Sequence, residues 1–289
     1  MRMNPSPLRY PGGKYKLYQY ISRVIELNSL SLYAEPFCGG AAVAISLLLN
    51  GKVSDVYIND FDYSIYCFWN AIVNHTDDFI KKVEEINVNI DEWRNQKYIN
   101  ENYQKFNDLE VGLSTFFLNR TNRSGIISGA GPIGGAKQLG EYRIDCRFNK
   151  KNLINQIKKI GEYRQFIHIT NLEACDFIEK YLRGRSDIFT FFDPPYYKRG
   201  PKLYSNFYHH EDHLKLSQNI LTNLMRSKWI ITYDNDDNIK EFYKDIDVIE
   251  YNLKYSLQRK YTASELMFFS RDLLRPCLEE GFINMVKGV

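Results

Sequence analysis

Short apolar runs alternate with longer amphipathic ones toward both ends of the chain, and the middle breaks that rhythm. Residues 32–40 read as a strand running into Gly39 and Gly40, residues 41–49 are apolar over a helical length, and residues 55–60 form a second short run that stops at an acid. A helix over 149–163 sets Leu153, Ile154, Ile157 and Ile160 on one face. Alternation then resumes, with strands over 166–170, 188–193 and 229–233, helices over 173–182, 211–225 and 237–244, and closing strands around 248–255 and 265–269. Residues 63–119 carry only helical periodicities rich in Asn, Lys and Glu. The pattern predicts an α/β sheet in which 1–62 and 164–289 form one domain and 63–163 an inserted, mainly helical one.

The run Phe189-Thr190-Phe191-Phe192 ends abruptly in Asp193-Pro194-Pro195-Tyr196. Neither proline can continue a strand ladder, so a buried strand must deliver Asp193 to the carboxyl edge of the sheet, where open α/β sheets place their ligands. A carboxylate, a prolyl carbonyl and an aromatic ring together suit a planar base with an exocyclic amine: Asp193 accepts one N–H, the Pro194 carbonyl the other, and Tyr196 stacks on the ring. The same four residues also fit a structural proline turn with a solvated Asp.

Two further stretches favour close backbone approach. Arg9-Tyr10-Pro11-Gly12-Gly13-Lys14 sets a Lys at the start of a helix after two glycines, a shape that cradles an anion or carboxylate, though it is not a Walker loop. Glu35-Pro36-Phe37-Cys38-Gly39-Gly40 joins a strand to a helix through glycines, as adenosine-containing cofactors require; GxGxxG is absent, which disfavours NAD. Asp60 falls about 20 residues later, where a ribose-binding carboxylate belongs, and the alternative for it is an N-cap of the helix that follows. The insert ends in a long Gly-rich loop carrying Arg120, Asn122, Arg123, Lys137, Arg143 and Arg147, residue types suited to base edges and phosphates.

Composition narrows the compartment more than the chemistry. The net charge of +3 arises from 38 basic and 35 acidic residues, so a nucleic-acid surface has to be a local patch. Five cysteines stand singly, which signals neither a disulfide frame nor a zinc site and suits the cytoplasm. The N-terminus lacks an apolar signal region and no run of about 18 apolar residues occurs, so neither export nor membrane insertion is expected. His209, His210 and His213 open a helix, where polar residues cap the first turn, and no metal is expected.

The ordered set RYPGGK (9–14), EPFCGG (35–40), Asn59-Asp60, FFLNRTNRSG (116–125) and DPPY (193–196) resembles the Dam-like DNA adenine-N6 methyltransferases of the D12 class and covers most of the chain. The resemblance implies a Rossmann-like catalytic domain that uses S-adenosyl-L-methionine, an inserted target-recognition domain, and base flipping in double-stranded DNA. It implies cofactor contacts at Tyr10, Gly13, Lys14, Glu35, Phe37, Gly39, Gly40, Asp60 and Asp193, with Asp176 and Phe177 addressing the cofactor adenine. It implies catalysis by Asp193, Pro194, Pro195 and Tyr196. A partner restriction endonuclease is compatible with it, and a monomer or weak dimer is expected. Ala41 stands where the fuller FxGxG pattern has its last glycine, and the loop after Arg120 lacks the hairpin sequence of GATC-specific members, so the target site stays open. The alternatives are a DPPY methyltransferase acting on RNA or a protein amide, against which the loop insertion speaks for protein, and an idle DNA-binding module, against which the intact DPPY speaks.

Overall fold

In the computed structural model, which describes residues 4–9, 13–197, 208–256 and 260–276, the chain falls into two compact units: Met1–Gly13 with Asp62–Ile169, and Lys14–Phe61 with Thr170–Val289. The chain begins the latter, sheet-bearing unit with a 3-10 turn (Lys14–Leu17), α1 (Tyr18–Leu27), β1 (Leu32–Glu35), α2 (Ala42–Leu49) and β2 (Asp55–Asn59). It then forms the helices of the other unit: α3 (Tyr63–Asn74), α4 (Thr76–Glu85), α5 (Ile90–Glu101), α6 (Asp108–Thr121) and α7 (Lys150–Gly161). It closes with β3 (Ile167–Thr170), α8 (Ala174–Phe177, prolonged by a π turn Ile178–Leu182), β4 (Ile188–Phe192), α9 (His210–Asn223), β5 (Lys228–Asp234), α10 (Asp237–Phe242), β6 (Val248–Ser256) and β7 (Lys260–Phe269).

The expected α/β sheet is seven-stranded, in the order β3-β2-β1-β4-β5-β7-β6. β1 pairs in parallel with β2 on one side and β4 on the other, and β4 pairs in parallel with β5. β7 runs antiparallel to β5, and β6 antiparallel to β7. The chain therefore works outward from β1 in one direction, then starts again from β4 in the other. At that switch point the connections leaving β1 and β4 diverge, which opens a crevice at their carboxyl ends. Every residue of β4 is buried, as a central parallel strand with both faces covered demands.

Three asparagines of the insert act as helix caps. Asn89, Asn107 and Asn149 accept backbone N–H groups at the starts of α5, α6 and α7, and Asn107 forms a reciprocal capping box with Glu110. Asp62 caps α3 in the same way, so the capping role considered for Asp60 belongs to its neighbour. α3 and α6 approach so closely that a Cβ on Gly112 would lie 2.5 Å from the Cys67 carbonyl oxygen. Phe68, Phe79, Phe116 and Phe148 fill the space around that crossing.

The unit boundaries differ from the sequence division at 62/63 and 163/164. Residues 4–9 go with the helices because Asn119 holds Arg9 at both ends of its peptide: it accepts the Arg9 N–H at 2.7 Å and donates to the Arg9 carbonyl at 3.2 Å. Gln156 bonds the Asn4 carbonyl as well. The return falls at Ile169, within β3. No helix among the described residues is long and apolar enough to cross a membrane.

Candidate active site

The carboxyl ends of β1, β2 and β4 carry two adjoining constellations, both within the sheet unit. At the end of β4 the Asp193 side chain keeps 24% of its surface exposed, and Lys14 Nζ lies 2.7 Å from its Oδ1. Thr232 of β5 donates to the same oxygen at 2.9 Å. Among the described residues both bonds fall on Oδ1, which leaves Oδ2 presented for an incoming N–H. Burial raises the Asp193 carboxyl above its ordinary range, the Lys14 ammonium opposes that rise, and Glu265 adds to it. Pro194 is buried and Pro195 half-buried, so the turn the prolines impose is packed as well as stiff.

Tyr196 is only 6% exposed. Lys14 donates to its hydroxyl at 2.9 Å, and that hydroxyl donates to Glu265 Oε1 at 2.7 Å. Tyr251 donates to Glu265 Oε2, also at 2.7 Å. Lys14, placed by the sequence at the cofactor, thus sits on the Asp193 carboxylate. Thr232, Tyr251 and Glu265 escaped sequence reading, since each is one polar position in a strand whose register decides which way it points.

The glycine turn after β1 is fastened from below. The Cys38 N–H donates to the Asn59 carbonyl at 2.8 Å, and the Asn59 side chain bonds the carbonyls of Pro36 and Leu172 while accepting from the Leu172 N–H. Gly39 has φ +44° and donates its N–H to Asp60 Oδ2 at 2.8 Å. Ala41, in the position of the missing glycine, does adopt a left-handed φ of +43°, so the departure is borne as backbone strain. Glu35 lies under the turn: its Oε1 accepts from the Tyr33 hydroxyl at 2.8 Å and from the Ala44 N–H of α2 at 3.1 Å. Burial pushes its carboxyl up to about 8.

A turn free of Cβ at 39 and 40, the half-exposed Asp60 carboxylate at the end of β2 and the half-buried ring of Phe37 form a donor and acceptor set that fits an adenosyl cofactor. Asn171 holds the Asp60 and Phe61 carbonyls, and Phe61 is 55% exposed beside Asp60, an aromatic face that the sequence reading passed over. Asp176 is exposed on α8. Phe177 is 1% exposed and packs on Tyr181 within the core, which leaves its ring no face for a ligand. Gly13 is exposed, and Tyr10 lies outside the described residues.

In the helical unit the loop after α6 is ordered by its own turns. Asn122 pairs with Pro132, and the Gln138 side chain bonds the Ile133 and Gly135 carbonyls and the Ile144 N–H. Two of the six residues expected to touch DNA are engaged inside the unit. The Asn122 side chain, 1% exposed, accepts from the Trp93 indole and donates to the Ile126 and Ile127 carbonyls. Arg120 donates to the carbonyls of Arg147 and Pro7, and burial with Arg9 and Arg147 nearby lowers its guanidinium to about 10. Both stand at the end of α6, where they reach carbonyls of the N-terminal segment and of the loop instead of solvent. Arg123, Lys137, Arg143 and Arg147 are exposed.

The histidines of α9 do not converge on a metal geometry. His213 is buried against the Tyr233 hydroxyl, 3.1 Å away, and burial lowers it to about 4. Among the described residues no group of three or more His, Cys, Asp or Glu is placed to hold a metal ion.

Residues 10–257 match the model of the D12 class N6 adenine-specific DNA methyltransferases. The chain is similar to modification methylase StsI of Streptococcus sanguinis, with 28% identity over 209 residues that make up 66% of this chain. The match spans only 28% of that relative's length. Among solved structures, the rRNA methyltransferase aviRa from Streptomyces viridochromogenes aligns with 10% identity and a TM-score of 0.38, covering 90% of this chain and 86% of that one. TrmK of M. capricolum, solved with S-adenosyl-homocysteine, aligns with 10% identity and a TM-score of 0.35, covering 89% and 71%.

Proposed function

Because the chain belongs to the D12 class of N6 adenine-specific DNA methyltransferases, we propose that it methylates N6 of an adenine turned out of double-stranded DNA, with Asp193 preparing the amine for attack. S-adenosyl-L-methionine, when bound at the glycine turn, supplies the methyl group on a cationic sulfur. The observation that carries the reading is the Asp193 carboxylate, fixed through Oδ1 by Lys14 and Thr232 and presenting Oδ2 at the sheet edge.

The chemical obstacle is the N6 lone pair, which is conjugated into the purine ring. A hydrogen bond from N6–H to Asp193, and another to the Pro194 carbonyl, favours a pyramidal nitrogen whose lone pair points at the methyl carbon. Methyl transfer to N6, with the electron pair of the broken C–S bond leaving on sulfur, would bring positive charge onto N6 beside Asp193. The N–H proton becomes acidic only then, so Asp193 need not be a strong base, and its exposed edge passes the proton to water. Asp60 is assigned to the ribose hydroxyls, the turn at Gly39 and Gly40 to the methionine portion, and Phe61 to a face of the cofactor adenine.

The helical unit contributes recognition through Arg123, Lys137, Arg143 and Arg147. Arg120 and Asn122 support that loop from within. The name of the similar modification methylase supports pairing with a restriction endonuclease, and a DNA substrate supports a cytoplasmic location.

Tritiated-methyl transfer to duplex DNA, RNA and protein, measured side by side, tests the reading: label should enter DNA alone and appear as N6-methyladenine. Asp193→Asn should keep the fold and DNA affinity yet lower turnover by roughly two to four orders of magnitude, since an amide oxygen is a weaker acceptor. Wild-type turnover in that variant removes Asp193 from the chemistry.

A further inference from the structure

Behind Asp193 lies a relay of side chains whose donor directions are fixed. Lys14 has only hydrogens to give, so the Tyr196 oxygen accepts from it and must send its own hydrogen onward to Glu265. Tyr251 of β6 sends its hydrogen to the other carboxylate oxygen. Lys14 Nζ also stands 3.7 Å from Glu265 Oε2. Glu265, 1% exposed on β7, therefore meets two phenol donors and an ammonium. The ammonium in turn lies between two carboxylates, Asp193 on the crevice side and Glu265 on the core side.

We propose that Glu265 is a positioning residue for the methyl transfer: it fixes the Tyr196 ring and the Lys14 ammonium from behind and so keeps Lys14 from neutralising the acceptor strength of Asp193. The proposal rests on the function assigned above. An ammonium 2.7 Å from the acceptor carboxylate aligns it and also weakens it. A second carboxylate on the far side draws part of that field to itself, so Asp193 keeps its geometry and regains basicity as cationic charge develops on N6. The Tyr196 ring, tethered at its hydroxyl and only 6% exposed, has its orientation set before the target base arrives.

The groups facing Asp193 are Lys14 from the N-terminal turn, Thr232 from β5, Glu265 from β7 and Tyr196 from its own loop, with Tyr33 and Glu35 of β1 and Tyr233 of β5 within electrostatic reach. Glu265→Gln removes one negative charge from this set, so the Asp193 carboxyl should titrate at lower pH by roughly one unit. Activity that requires ionised Asp193 is lost as pH falls, and its acid limb should move to lower pH by the same amount. The plateau should meanwhile drop about tenfold through the weaker acceptor and the untethered Tyr196.

The experiment combines carboxyl-carbon NMR titration of Asp193, assigned with Asp193→Asn, with pH–rate profiles of the wild-type enzyme, Glu265→Gln and Tyr251→Phe. Tyr251→Phe, a milder change, keeps the test available should Glu265→Gln fail to fold, and a fall of a few-fold in kcat with unchanged KM for cofactor is expected of it. A downward NMR shift matched by the acid limb supports the proposal. An unmoved Asp193 titration, a limb that stays while only thermal stability falls, or a Tyr251→Phe enzyme of wild-type kcat overturns it. A wild-type protein that transfers no methyl to DNA overturns the function proposed above, and the NMR titration then still decides whether Glu265 governs Asp193.

Discussion

Glu35 and Glu265 are buried to a similar depth, 5% and 1% exposed, in opposite surroundings. Glu265 has an ammonium within 3.7 Å and a phenol on each oxygen, whereas Glu35 has one phenol and one amide, both on Oε1. Burial without a cation is what pushes Glu35 up to about 8. Its folded pKa exceeds the unfolded value of about 4.3, so the folded state holds the proton more tightly. That contribution to stability is complete below about pH 4 and is lost as pH rises toward 8. Glu35→Gln should match the wild type near pH 5 and exceed it at pH 8 by at least roughly 2–4 °C in Tm, about 1 kcal/mol for a chain of this size. Melting curves at the two pH values check this, and a difference that does not grow with pH removes Glu35 as the titrating group.

At the scale of elements, the loop between α6 and α7 shows how a Gly-rich stretch becomes a defined structure. Gly125 has φ +77°, and a Cβ there would sit 2.2 Å from the Arg9 carbonyl oxygen, the atom that Asn119 also binds. Gly125 and Asn119 together seat residues 4–9 against the end of α6. Gly125→Ala should cost on the order of 2 kcal/mol or more, from the left-handed backbone and the forced displacement of Arg9. The Arg9 amide, bonded to Asn119 Oδ1, should then exchange its hydrogen faster. Unchanged protection of that amide in a folded Gly125→Ala protein contradicts this seating.

For the whole molecule, an overall charge of +3 is too small to draw DNA by itself, so the salt dependence of the proposed DNA binding rests with particular residues. With Arg120 and Asn122 committed internally, Lys137 and Arg143 are exposed members of the set assigned to phosphates and bases. Replacing both with Ala should flatten the slope of log K against log salt by up to about two units, near 0.9 for each phosphate that is no longer neutralised. Calorimetric affinity for the cofactor should stay as it was. An unaltered slope in equilibrium binding to duplex DNA moves the phosphate-binding role to other residues.

Local signals sufficed for much of this molecule. Alternating periodicities mark the strands and helices of the α/β sheet, two prolines stop β4 at Asp193, and glycines after β1 mark a turn open to a ligand, because each of these properties belongs to neighbouring residues in the chain. What needed the tertiary structure is everything that depends on register and on which distant strands adjoin. β7 entering between β5 and β6 brings Glu265 behind Tyr196, 69 residues away in sequence, and Lys14 reaches Asp193 across 179. Arg120 and Asn122 look alike to Arg123 in a sequence, since polarity alone does not say whether a donor will meet solvent or a backbone carbonyl that folding leaves without a partner.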